Sequence, residues 1–205
     1  MHVLTVSLDY PPNIGGIAAH VYELSQALKS LGHEVSLLTK NYDLYPQQEQ
    51  IVDGIRIMPM PRRLFGPTYG LTINRQIDKA VSRLKPDIIH IHGMRPLEFL
   101  RPKSVPIVYT NHTSGFLKRL TKGGYRIGKL KRLFKSPDLF LAPSEELLEI
   151  PFDIRAPKKF ISNGVVPDRF IPNADDRRRI RAKLKLNDAH RLAIVTRRMV
   201  EKNGL

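Results

Sequence analysis

The stretch DYPPNIGGIAAHVYELSQALKSLGHEV, residues 9–35, sets two prolines and two adjacent glycines between a short apolar run and an amphipathic helix. The residues before it, 2–8 (HVLTVSL), are apolar and β-branched without helical periodicity, and they read as a strand. Within the stretch, Ile17, Val21, Leu24, Leu28 and Leu31 recur at spacings of four and three, one apolar stripe of a helix. Gly32 supplies the helix stop, and residues 34–39 (EVSLLT) resume as a strand. Strand, glycine loop, helix, strand is the opening of a βαβ unit. Gly15 and Gly16 suit two readings. Glycines ahead of a helix let the backbone come close to an anion that the helix N-terminus attracts. A tight turn would ask for them for its backbone angles alone, and the spacing is not the G-x-G-x-x-G fingerprint.

Further along, residues 86–93 (PDIIHIHG), 106–112 (PIVYTNH), 138–144 (DLFLAPS) and 158–165 (KKFISNGV) are short, nearly continuous apolar runs. Such runs suit strands covered on both faces, as in a parallel sheet. Residues 54–61 (GIRIMPMP) give one more short strand, and Ile73, Ile77, Ala80, Val81 and Leu84 mark the buried face of a second helix. The polar stretch after Thr39, with Tyr42 and Tyr45, reads as a surface loop. Helices separate most of the strands, so the expected fold is a doubly wound, mostly parallel Rossmann-like α/β sheet. Residues 173–191 read as a polar helix plus loop, and 192–205 as a fresh strand followed by a loop. The expected organisation is a domain over 1–165, a linker and helix over 166–190, and the start of a truncated second domain over 191–205.

Composition excludes several classes. The 205 residues carry 41% hydrophobic and 26% charged side chains, as a globular protein does. There is no cysteine, which removes disulfides and thiolate zinc sites. No apolar run approaches membrane-spanning length and the N-terminus lacks a signal pattern, so a cytoplasmic location is the default expectation. The formal net charge of +15 predicts attraction to polyanions without saying which.

Several segments, in this order, resemble glycosyltransferase family 4, the retaining GT-B enzymes: PPNIGGIAAHVYELSQALKSLGHEV, DIIHIHG, VYTNHTSG, LAPSEEL, ISNGVVPDRF and TRRMVEKNGL. The resemblance covers nearly the whole chain. It implies the N-terminal, acceptor-side half of a two-domain enzyme, the linker, and the first strand of the domain that holds a nucleotide-sugar. The family's E-x7-E element is absent, so the resemblance implies that this chain alone is inactive. Gly15 and Gly16 would lie against the donor's phosphate and sugar. His112, at the end of the PIVYTN strand, would sit close to the transferred sugar. Arg197 and Lys202 would clamp the leaving diphosphate, although Thr196 stands where the family has Gly and Asn203 is inserted before Gly204. The clamp supplies the transition-state charge, so no metal and no cofactor are expected beyond the nucleotide-sugar itself. Asn163 and Gly164 resemble the crossover loop facing the cleft; a type I′ turn explains Asn-Gly equally.

His90 and His92 alternate with Ile89 and Ile91, which puts both imidazoles on one face of a strand. That spacing suits a metal, but no carboxylate or third histidine stands near in sequence, and the pair reads as cleft-lining or structural. His20, on the first turn of the glycine-loop helix, suits an acceptor phosphate or a plain surface position. Ser144 with Glu145 and Glu146 reads as a helix cap with first-turn acids. Residues 115–135 carry Lys118, Arg119, Lys122, Arg126, Lys129, Lys131, Arg132 and Lys135 without an acid, interleaved with Leu and Phe. This is the composition of an interfacial membrane helix, of a helix whose apolar face packs on the sheet, or of a pocket for a phosphorylated acceptor. Arg62 and Arg63 would add to any of these. The expected partners are a nucleotide-sugar, a carbohydrate or lipid-linked acceptor and an anionic membrane surface. The alternative from another class, a basic nucleic-acid-binding α/β protein, lacks any helix-turn-helix, RRM or zinc pattern. A dinucleotide-binding enzyme lacks the glycine fingerprint and has Thr39-Lys40 where an acid would close the second strand.

Overall fold

The computed structural model describes residues 1–40, 48–60, 69–97, 100–101, 103–112 and 124–196, and the side chains of all but 69–71 and 124–126. The chain divides into two compact units, Met1–Gly164 and Val165–Leu205.

The first unit is one eight-stranded sheet with helices between strands. In chain order it contains β1 (His2–Ser7), α1 (Gly16–Ser30), β2 (Glu34–Lys40), β3 (Gln50–Val52), β4 (Ile55–Met60), α2 (Tyr69–Leu84) and β5 (Ile88–His92). Then come the single turn α3 (Met94–Leu97), β6 (Ile107–Thr110), α4 (Gly124–Leu133), β7 (Leu139–Ala142) and β8 (Lys158–Phe160). The strand order is β3-β4-β2-β1-β5-β6-β7-β8, and only the β3–β4 pair is antiparallel. This is the doubly wound Rossmann-like sheet expected of the sequence.

Alternation along the central strands sorts the core into two layers. Val35, Leu37, Ile55 and Ile57 pack with Val21, Ile17 and Leu28 of α1. Leu38, Met58 and Met60, one residue out of phase, pack with Ile73, Ile77 and Ala80 of α2. Successive strand side chains point to opposite faces, so each strand needs apolar residues in both phases. Helix α1 ends at Ser30, where Gly32 takes a φ of +82° and its N–H reaches the Lys29 carbonyl. Leu31 therefore falls past the helix and is exposed rather than part of the stripe.

Strand β3 lies in the stretch read from sequence as loop. Asp53 and Gly54 both take positive φ, 50° and 75°, and close a two-residue hairpin onto β4. Asp-Gly is a strong signal for such a turn, because both central residues must be left-handed. Glu49, beside the hairpin, is held by Arg56 at 2.7 Å and Arg83 at 2.6 Å.

Helix α4 carries the basic segment. Its Leu130 and Leu133, with Phe134, are buried in the main core. Phe134 meets Phe140 edge-on at 5.1 Å and Tyr109 at 5.9 Å between ring centroids. Lys131 and Arg132 are exposed. Among the described residues, then, the apolar face of this helix is spent on the sheet, and charge is what it offers outward. Lys118, Arg119 and Lys122 lie outside the described residues, as do Arg62, Arg63, Arg197 and Lys202, and Arg126 is described in its backbone only.

In the second unit, α5 (Ala174–Lys183) starts at Asn173, whose side chain accepts from the Asp175 and Asp176 N–H groups. The strand expected at the start of a second domain is not formed: residues 192–196 are irregular and exposed. A strand needs a hydrogen-bonding partner, and this stretch pairs with none among the described residues. The Ser144 cap is also corrected. Glu145–Leu148 is a single 3₁₀ turn, and the Ser144 side chain makes no capping bond to it.

Candidate functional site

The winding order of the sheet reverses between β1 and β5: β2 is laid down on one side of β1 and β5 on the other, all three parallel. Ligands of open α/β sheets gather at the carboxyl edge beside such a switch. That edge here is built from the loop after β1, the last residue of β5, the exit of β6 and the residues after β8.

The loop after β1 contains Gly15 and Gly16. Neither has a left-handed φ, and a Cβ placed on either would meet nothing within 4 Å. The tight-turn explanation therefore fails, and so does any need for close packing against the described residues. What the two glycines leave is open space in front of the helix N-terminus. Gly93, by contrast, has a φ of +82°, and its backbone conformation alone accounts for it. Asn163 and Gly164 form no type I′ turn, since neither has a positive φ and both lie in irregular chain.

Four histidines converge beside this loop. His92 ends β5, in register with Ser7 of β1 and Thr110 of β6. Its Nδ1 lies 3.0 Å from Nε2 of His112, two residues past the end of β6, with the rings stacked at 5.3 Å. The ring centroid of His20, on α1, lies 4.7 Å from that of His112, edge-on, and 5.6 Å from that of His92. His90 lies behind His92, 4.1 Å between centroids, and its Nε2 is tied to the Thr110 hydroxyl at 2.8 Å. The side chain of Asn163 hydrogen-bonds His20, so the segment after β8 closes on the cluster. The sequence-level statement that no third histidine stands near His90 and His92 is thus corrected. Two do, one from α1 and one from the β6 exit.

Burial keeps these rings neutral. It pushes His90 down to about 3, with the His20 and His112 rings adding to it, and His112 down to about 4, with His20 adding. Burial and the three neighbouring imidazoles hold His92 well below the usual range. His20 is lowered by burial too, although its bond to Asn163 opposes this. Neutral imidazoles offer one N–H and one lone pair each, which suits hydroxyls and cations.

Asn111 positions His112 and was not singled out in the sequence. It is fully buried; its N–H reaches the Leu141 carbonyl at 2.8 Å and its side-chain amide donates to Leu147 O at 3.2 Å. An Asn between a strand end and a candidate His, with both amide groups satisfied across the sheet, fixes where the next side chain leaves the edge. Lys129, Lys131 and Arg132 lie on α4, which packs against β6 and β7, and the histidine cluster contains none of them.

A glycine loop at the topological switch, with neutral imidazoles converging on it, marks the carboxyl edge of a Rossmann-like domain as its candidate ligand site. The profile of glycosyltransferase family 4 matches residues 14–169, and the chain belongs to that family. It is 31% identical over 122 residues to a phosphatidyl-myo-inositol mannosyltransferase of Mycolicibacterium smegmatis, covering 55% of this chain and 30% of that one. It is 26% identical over 196 residues to a GDP-mannose-dependent alpha-mannosyltransferase of the same organism, covering 86% of this chain and 51% of the relative. Sucrose-phosphate synthase from Thermosynechococcus elongatus shares the fold with a TM-score of 0.68 at 18% identity, over 91% of this chain and 53% of that one. The chain spans from under a third to about half the length of these relatives.

Proposed function

We propose that this chain is the acceptor-side part of a retaining glycosyltransferase, which moves a sugar from a nucleotide-sugar to a lipid-linked or other anionic or carbohydrate acceptor. The observation that carries the reading is the convergence of Gly15, Gly16, His20, His112 and Asn163 at one sheet edge. On this reading the bare backbone at Gly15–Gly16 receives the donor's phosphate and sugar, and the α1 dipole favours their negative charge. Neutral His112 hydrogen-bonds a sugar hydroxyl, held in place by His92 and by Asn111. Asn163 and Gly164 border the same ligand. Arg197 and Lys202 neutralise the departing diphosphate, which gives the transfer its charge stabilisation without assigning it a metal.

The lipid acceptor is supported by the mannosyltransferase relative whose name carries a phosphatidylinositol, and by the outward charge of α4. The enzyme then works as a peripheral protein at the cytoplasmic face of a membrane. No helix among the described residues is long and apolar enough to cross one.

Isothermal titration with UDP-glucose, GDP-mannose, UDP-N-acetylglucosamine and phosphorylated acceptor sugars tests the reading, using the unaltered chain and a His112→Gln variant. Saturable binding of one or more, weakened about tenfold in the variant, is the expected result; the loss corresponds to about one polar contact. No binding by the unaltered chain, or equal binding by both, contradicts it.

A further inference from the structure

We infer that His20, His92 and His112 form a binding site for one transition-metal dication of the zinc class. Each supplies one ring nitrogen, and the three nitrogens lie within 4.8 Å of one another. The His92 Nδ1 to His112 Nε2 separation is 3.0 Å. A tetrahedral zinc with Zn–N bonds of about 2.0–2.1 Å holds its ligand nitrogens about 3.4 Å apart, so small ring rotations bring this trio to bonding geometry.

A second observation is independent of the spacing. His92 directs one nitrogen at His112, and its other, Nε2, is buried with no hydrogen-bond partner. A buried ring nitrogen without a partner is costly, and a cluster of imidazoles facing one another is short of acceptors and donors. A cation coordinated by the cluster replaces the His92–His112 hydrogen bond with bonds to ring lone pairs. Outer contacts are also in place: His20 is tied to Asn163, and His90 is fixed on Thr110 behind His92.

The donor set identifies the class of ion. Three imidazoles suit zinc, copper or nickel, whereas magnesium, calcium and manganese prefer oxygen. Three protein ligands leave a fourth position for water or for an oxygen of a bound molecule. His112 is shared with the transfer reading, which needs no cation. A bound ion therefore competes with whatever that imidazole otherwise holds.

The test is titration of the metal-stripped full chain with Co²⁺, read by its visible absorption, with Zn²⁺ as competitor. The expected result is one equivalent bound, displaced by Zn²⁺, and weakened at least about tenfold in His20→Gln and in His112→Gln. His190→Gln, whose ring lies in the second unit, should bind as the unaltered chain does. Paramagnetic broadening by Co²⁺ in the unaltered chain should fall on the His20, His92 and His112 ring signals, which settles the ligands even where a variant is poorly folded. No saturable absorption, unchanged affinity in both site variants, or broadening confined to His2, His33 or His190 would overturn the inference.

Discussion

Replacing Leu130 by Ala separates two roles for the basic helix. Leu130 is fully buried, in the core that also holds Phe134, Tyr109 and Phe140. A buried Leu truncated to Ala costs about 2–5 kcal/mol, from lost transfer free energy plus the cavity left behind. Alanine preserves helix propensity, so the loss comes from packing alone. For the surrounding core, about 3 kcal/mol is expected, which lowers the unfolding midpoint by roughly 6–12 °C. The paired surface variant Lys131→Ser with Arg132→Ser should change stability by no more than about 0.5 kcal/mol. Vesicle binding should show the reverse pattern. Each cation near an anionic leaflet contributes about 1 kcal/mol, so the double variant should weaken binding to anionic vesicles roughly 30-fold. Leu130→Ala should bind like the unaltered chain below its midpoint. Urea unfolding and salt-dependent cosedimentation measure both effects. A Leu130→Ala protein of unchanged stability but weakened vesicle binding would refute the packing argument, because that side chain would then be meeting lipid.

Gly16→Ala should not lower the unfolding midpoint, since a Cβ there meets nothing within 4 Å, while nucleotide-sugar affinity falls about tenfold. A large loss of stability would show instead that the loop needs glycine for itself. Asn111→Ala should cost about 2 kcal/mol, the penalty for leaving the Leu147 carbonyl without its donor, and calorimetry of the variant checks it. In chelator-containing buffer, stability should fall as the pH drops from 7 to 5. His90 and His112 titrate near 3 and 4 in the folded chain, so only the unfolded chain takes up their protons as the pH passes 6.5. Each imidazole contributes about 2 kcal/mol of this loss by pH 5, present above 6.5 and gone near the folded value. His112→Gln should lose about that much less, and equal pH dependence in the two proteins would count against neutral burial.

Much of the fold was legible because its signals are local. The apolar runs at β1, β2, β5, β6 and β7 and the stripe on α1 each carry their own periodicity. The hairpin was legible too, in Asp53-Gly54, but its first strand is only three residues of mixed polarity and was read as loop. Residues 192–196 failed for the opposite reason. Their β-branched composition suits a strand, yet no strand pairs with them among the described residues. Of the candidate site, Gly15, Gly16 and His112 could be pointed to because a glycine loop and a strand end announce the carboxyl edge, and Asn163 through the family resemblance alone. The joining of His20 to His92 and His112 could not. Those residues are tens of positions apart, and only the strand order β2-β1-β5-β6 carries them to one place. Asn111 was hidden as well, because its partners Leu141 and Leu147 lie on β7 and in the turn that follows it.

The claim at the centre of this account is that a nucleotide-sugar or its acceptor sits against the Gly15–Gly16 loop and the histidines. Amide and imidazole chemical-shift mapping of the full chain, titrated with the nucleotide-sugar that binds best, tests it most directly. The account predicts that the largest shifts fall on Gly15, Gly16, His20, His112 and Asn163. Shifts concentrated on the other flank of the sheet, around Met58, Gln76 and Arg83, would contradict it.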